Sequence, residues 1–80
     1  MIGKEFPQEH FIELRGLSPD FVGRIAIYKQ GNSYQTEIDI VQTESGKIYS
    51  HVKSLYDGDD ARDMLDLSVH HLKQFLTRKN

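Results

Sequence analysis

The side chains of this sequence that could ligate a metal or exchange a proton near neutral pH are four histidines: His10, His51, His70 and His71. The chain contains no cysteine. A structural or catalytic zinc site needs three or four ligands that converge on one ion. Adjacent residues on a helix point about 100° apart, so His70 and His71 cannot share a metal. The sequence therefore predicts no metal site and no cofactor.

An acidic run, Asp57-Gly58-Asp59-Asp60, offers clustered carboxylate oxygens of the kind that calcium and magnesium prefer. The run lacks the alternating ligands, the spaced glycine and the distal glutamate of an EF-hand loop. It stands directly before a helical pattern, where aspartates cap a helix and complement its dipole. We interpret it as the start of a helix.

His51 has a candidate role because strand pairing, derived below, places it opposite Asp39. A carboxylate beside an imidazole can orient a general base. The same two side chains can also form a simple cross-strand pair. The chain has no nucleophile elbow and no glycine loop that would hold a phosphate. The sequence therefore favours a non-enzymatic protein over an enzyme that uses His51 with Asp39.

Two turns predict the strands that carry these residues. Gly31-Asn32 lies between two β-like segments, which is typical of a two-residue hairpin loop. Counting outward from this loop pairs Arg24 with Asp39 and Ile25 with Ile38.

The second turn is Glu44-Ser45-Gly46, with glycine where a three-residue hairpin needs the left-handed region. Its pairing joins Thr43 with Lys47. The same ladder then gives three further pairs: Asp39 with His51, Ile38 with Val52, and Glu37 with Lys53. The two turns together predict one apolar sheet face, formed by Ile25, Ile27, Thr36, Ile38, Ile40, Ile48 and Val52.

From about residue 60 to about residue 78 the apolar period becomes that of a helix. The predicted stripe consists of Ala61, Met64, Leu65, Ser68, Val69, Leu72, Phe75 and Leu76. This stripe is expected to cover the apolar sheet face, with His70 toward solvent and His71 at its edge. The segment Phe11 to Leu17 is predicted to be a further strand, with a short helical turn as the alternative. The fold class is α+β, a single domain over residues 1–80 with an antiparallel meander of three to four strands packed on one face by a single C-terminal helix.

The other sheet face is the candidate partner surface. Its predicted members include Tyr28, Val41, Tyr49, His51 and Lys53. Tyrosine is favoured at protein interfaces, and aromatic rings on an open sheet can also stack nucleic-acid bases. Two carboxylates at the centre of this face would repel phosphates.

Charge and length narrow the classes of function. Lys and Arg number 10 and Asp and Glu number 12, a net charge of −2, so the chain has no general attraction to nucleic acid or anionic membrane. The first residues lack the apolar run of a signal peptide, and no run is long enough to span a bilayer. We expect a cytoplasmic protein, and no small-molecule ligand is indicated.

The order of elements resembles that of double-stranded-RNA-binding domains, in which a three-stranded meander precedes a helix. Those domains present a basic helix start to phosphates, whereas the matching stretch here is acidic, Asp57 to Asp63. The stretch from Asp57 to Leu72 also resembles the strand-to-helix passage of HicB-like antitoxins. Neither resemblance carries a specific motif.

These observations favour a small non-enzymatic interaction module, an accessory or regulatory protein that binds another protein or forms a homodimer. The alternative is a nucleic-acid-binding domain that uses the aromatic sheet face. The enzyme hypothesis comes last.

Overall fold

The computed structural model of the chain describes residues 6–13, 15–16 and 18–78. Its elements in chain order are β1 (Gln8–Ile12), β2 (Phe21–Gln30), β3 (Ser33–Gln42), β4 (Ile48–Gly58) and α1 (Ala61–Arg78). The four strands form one antiparallel sheet in the order β1-β2-β3-β4, and the helix packs against it. The predicted fold class is confirmed.

The β2–β3 hairpin forms as predicted. Gly31 adopts a positive φ of 60° in the loop. The pairs Arg24 with Asp39 and Ile25 with Ile38 lie in register. Because side chains alternate across a strand, this register buries the isoleucines beneath the helix and puts the charges on the opposite face.

The N-terminal strand exists but begins earlier than predicted. It covers Gln8–Ile12 rather than Phe11 to Leu17, and Gly16 takes a positive φ of 89° in the turn that follows. Ile12 lies opposite Gly23 on β2. Leu14 and Leu17, which the prediction included, lie outside the described residues.

The second hairpin turn also forms, with Gly46 at a φ of 75° as its position predicts. The predicted pairing of Thr43 with Lys47 is wrong. Gln42 N donates to the carbonyl oxygen of Lys47 at 2.9 Å, so the turn closes one residue earlier on β3.

A bulge in β4 interrupts the predicted pairing of β3 with β4. Ile38 lies opposite Lys53 and Asp39 lies opposite His51, which leaves Val52 as an extra residue on β4. The predicted pair of Asp39 with His51 is confirmed, and that of Ile38 with Val52 is wrong. A bulge of this kind turns both of its residues toward the same face of the sheet.

The bulge moves Lys53 away from its predicted place beside Glu37. Lys53 faces the helix side of the sheet with Ile38, where its charge acts on His71. Ser54 takes the position opposite Glu37 instead.

A second register shift falls between Ile40 and Val41. It pairs Ile48 with the outward-facing Val41, so Ile48 is exposed rather than part of the core as predicted. The Tyr49 ring turns to the other face, 4.6 Å from the ring of Phe21, which packs against the core. The two neighbours have exchanged the faces that strict alternation assigns to them.

The predicted helix stripe is confirmed, since all eight of its residues are buried or partly buried. Asp60 caps α1, because its Oδ2 accepts a hydrogen bond from Asp63 N at 3.2 Å. Leu72 is fully buried in the core cluster with four isoleucines of β2 and β3. A Cβ at Gly23 would overlap the Leu72 side chain, so the missing side chain on β2 lets the helix lie close to the sheet.

We expect Leu72→Ala to lower the free energy of unfolding by about 2–4 kcal/mol, because it leaves a cavity in the core. His70→Ala, on the exposed face of the same helix, is the control and should be near neutral. Urea titration measures both values. Equal small losses in the two variants would show that the buried face of the helix is misassigned.

Candidate functional site

A chain of polar contacts crosses the sheet face opposite the helix and joins all four strands. Arg24 on β2 contacts Glu9 on β1 at 2.6 Å and Asp39 on β3 at 3.1 Å. On the other side of Asp39, its Oδ1 lies 2.7 Å from Nδ1 of His51 on β4. We call Glu9, Arg24, Asp39 and His51 the cross-strand row.

Asp39 is the buried member of this row, although α1 packs on the other face of the sheet. Only 4% of its side chain is exposed. Burial of a carboxylate costs free energy unless it is paired and hydrogen-bonded. Arg24 supplies a charged donor on one side and His51 a ring N–H on the other, so both carboxylate oxygens are satisfied.

Glu9 and Tyr28 favour the charged form of Arg24. Burial of the guanidinium lowers its pKa, but the hydrogen bonds and charges of Glu9 and Tyr28 together outweigh that effect, so the pKa of Arg24 lies above its usual value. Arg24 therefore acts as a fixed positive charge between two carboxylates.

A second set of contacts continues from His51. Ser54 Oγ lies 3.2 Å from His51 Nε2 and donates to Glu37 Oε1 at 2.8 Å. Gln35 Nε2 then donates to the other oxygen of Glu37 at 3.1 Å. His51 and Ser54 are three residues apart in β4, and the bulge between them brings both to one face.

Asp39, His51 and Ser54 thus follow the order of an acid–histidine–serine catalytic triad. In that chemistry the neutral imidazole accepts the hydroxyl proton. Here the single hydroxyl proton of Ser54 goes to Glu37, the shorter contact and the charged acceptor. The arrangement is better suited to linking β3 with β4 than to activating Ser54.

The structure separates the five residues predicted to form a partner surface. Tyr28 and His51 lie on the face opposite the helix, and Val41 lies there too but is buried. Tyr49 and Lys53 are turned to the helix side by the two bulges. Sequence reasoning missed Glu9, because its contact with Arg24 depends on the register of β1, and Ser54, because alternation put Lys53 in its place.

The described residues contain neither a candidate metal centre nor a membrane-spanning helix. No group of three or more His, Cys, Asp or Glu side chains there is placed to hold a metal ion. Within the same residues, no helix combines the length and apolar character needed to cross a membrane.

Comparisons of the chain with family models, with curated proteins and with solved structures gave no match. The site is therefore interpreted from its geometry.

We expect Asp39→Asn to destabilise the protein by about 1–3 kcal/mol, because the amide presents a donor where a neighbouring donor needs an acceptor. Glu9→Gln removes an exposed partner of the same arginine and should cost at most about 0.5 kcal/mol. Urea titration of both variants gives the comparison. Equal losses would mean that Asp39 is not the central acceptor of the cross-strand row.

His71 gives the structure a dependence on pH. Partial burial, and then the nearby charge of Lys53 and the neighbouring His70, lower the pKa of His71 from its ordinary value of 6.5. The unfolded chain therefore takes up this proton more readily than the folded chain. Stability is greatest above the unfolded pKa and falls as the pH drops through that of the folded state.

We expect His71→Gln to reduce the loss of unfolding free energy between about pH 7.5 and about pH 5, because it removes one proton-binding difference between the two states. His70→Gln leaves His71 beside Lys53 and should keep most of the dependence. Urea titrations at matched pH values measure the difference. If the two variants behave alike, the pH dependence does not arise at His71.

Proposed function

We propose that this chain is a non-enzymatic interaction module that forms a homodimer along the free edge of β4. The observation that carries this proposal is the position of β4, an 11-residue strand at the end of the sheet order, with one side that no other described strand pairs. A free edge presents backbone donors and acceptors to a further strand.

The two ends of β4 carry exposed apolar side chains. Ile48 and Tyr49 at one end are 60% and 64% exposed, and Tyr56 near the other end is 63% exposed. These are three of the five large apolar side chains that the described surface leaves exposed. Their clustering on one strand supports this edge as the contact.

A two-fold axis through the middle of β4 would bring these ends together. Antiparallel pairing across such an axis sets the first part of one strand against the last part of its copy. Ile48 of one copy would then meet Tyr56 of the other, and Lys47 would meet Asp57 of the other. Each contact would occur twice, joining apolar to apolar and positive to negative charge.

The bulges in β4 support a closed dimer over open-ended association. Bulges and lysines on an edge strand discourage uncontrolled pairing. The opposite edge strand, β1, pairs through only five residues and follows Pro7, so it is a poor edge for the addition of further copies.

The two alternative functions, nucleic-acid binding and catalysis, have less support from the sheet face opposite the helix. Base stacking would need Tyr28 and Tyr49 side by side, whereas the bulge turns Tyr49 toward Phe21. The same face also carries the carboxylates of Glu37 and Asp39. The enzyme hypothesis uses His51, oriented by Asp39, as a general base. The one hydroxyl beside its other ring nitrogen, that of Ser54, donates to Glu37, so this contact adds no support for that hypothesis.

Sedimentation across a roughly hundredfold range of concentration tests the proposal, since a dimer dissociates on dilution. We expect a monomer–dimer equilibrium for the native chain and a shift to monomer for Tyr56→Asp and Ile48→Asp, which place a charge at the contact. Leu67→Asp is the matched control, because Leu67 is an exposed apolar residue on the helix, and it should leave the dimer intact.

A native chain that is monomeric at every concentration would contradict the proposal. So would a dimer that both edge variants leave unchanged.

A further inference from the structure

An apolar cleft lies at the end of the sheet where β2 and β3 run into their neighbouring loops. Its volume is about 780 Å³, which lies within the range of pockets that bind small ligands. Its apolar lining comes from Phe11, Phe21, Val22 and Val41. Phe11 is 57% exposed at the mouth, and Val41 is buried in the floor.

The walls of the cleft are joined by hydrogen bonds. Thr43, just after β3, donates from its backbone N to Asp20 O at 2.8 Å and from its Oγ1 to Pro19 O at 3.0 Å. On one wall, Phe21 N donates to Ser18 O at 3.0 Å. These contacts keep the segment before β2 against the turn after β3, so the cleft is preformed and a ligand need not order it.

The cleft is flanked by negative charge. Glu13 lies on the wall that follows β1, and Glu44 lies on the opposite wall in the β3–β4 turn. A smaller adjoining cavity adds Asp20. Among the described residues that line the two cavities there are three carboxylates and no lysine, arginine or histidine.

We propose that this cleft binds a short peptide segment of a partner protein, in which a bulky apolar side chain is flanked by lysine or arginine. The apolar floor would take the apolar side chain, and the carboxylates on the two opposite walls would face a cation on either side of it. A peptide matches this site because it can present an apolar side chain with a cationic side chain on either side of it. We call the three carboxylates of Glu13, Asp20 and Glu44 the acidic rim. The acidic rim would repel a polyanion.

The lining of this site includes no residue of β4, although Ile48 of the proposed dimer contact lies beside Val41. The Glu13 and Glu44 substitutions used below change no residue of the dimer contact, and the Tyr56 substitution changes no residue of the cleft, so the two proposals can fail independently.

A titration of the native chain with the peptide acetyl-Lys-Lys-Phe-Lys-Lys-amide, followed by NMR of the backbone amides, tests the proposal. We expect shifts at Val22, Val41 and Thr43 that saturate. Glutamate in place of lysine in the peptide should abolish binding through repulsion, and serine in place of phenylalanine should abolish it through loss of the apolar contact.

Variants of the protein distinguish the effect of the acidic rim on peptide binding from the effect of net charge. The double variant Glu13→Lys with Glu44→Lys should weaken binding roughly tenfold or more, because it reverses both walls. Asp59→Lys with Asp66→Lys makes the same change in net charge at exposed positions outside the cleft and should bind like the native chain. Phe11→Ser, at an exposed position, should also weaken binding without loss of the native melting temperature.

The proposal is overturned if the cleft amides do not shift at millimolar peptide. It is overturned equally if the rim variant and its charge-matched control bind alike, because the attraction would then be a general effect of net charge.

Discussion

A carboxylate buried on the uncovered face of the sheet determines how three of the strands pair. Almost none of the Asp39 side chain is exposed to solvent, so donors of the protein must form hydrogen bonds with its carboxylate. Arg24 on one neighbouring strand and His51 on the other form these hydrogen bonds. A slip of one residue between these strands would turn Asp39 toward the helix and leave both partners unpaired.

The bulge in β4 lets both Val52 and Leu55 pack against the core under the helix. Strict alternation after Val52 would turn Leu55 to the other face of the sheet. The extra residue returns Leu55 to the helix side and carries Lys53 there as well, while His51 stays beside Asp39. It also sets Ser54 next to His51, which extends the polar contacts to Glu37. One local irregularity therefore shapes the helix edge, where His71 lies, as well as the polar face.

The two surfaces proposed for binding arise where the regular sheet stops. The β4 edge is left open because strand order places it last, and its apolar side chains sit near its two ends. The cleft forms where the connection before β2 and the turn after β3 are tied together beyond the sheet. Each surface combines apolar groups with placed charges, a combination that favours specific partners over general adhesion.

Local chemistry in the sequence determined much of this protein. The first glycine turn sets the pair of Arg24 with Asp39, because turn type and counting outward depend only on neighbouring residues. The pair of Asp39 with His51 also needs the extra residue at Tyr49, since counting outward from the observed closure of Gln42 with Lys47 alone would place Ser50 opposite Asp39. The helix and its buried face followed from a period of apolar residues that no strand could satisfy.

Tertiary structure decided the features that strict alternation of side chains along a strand does not predict. Bulges exchange the faces of Ile48 and Tyr49 and place Ser54 beside His51. The position of a bulge depends on packing on both faces of the sheet. The contact of Glu9 with Arg24 and the cleft near Val41 join segments far apart in the chain. Such contacts have no local signal, because their free energy exists only once distant segments have been brought together.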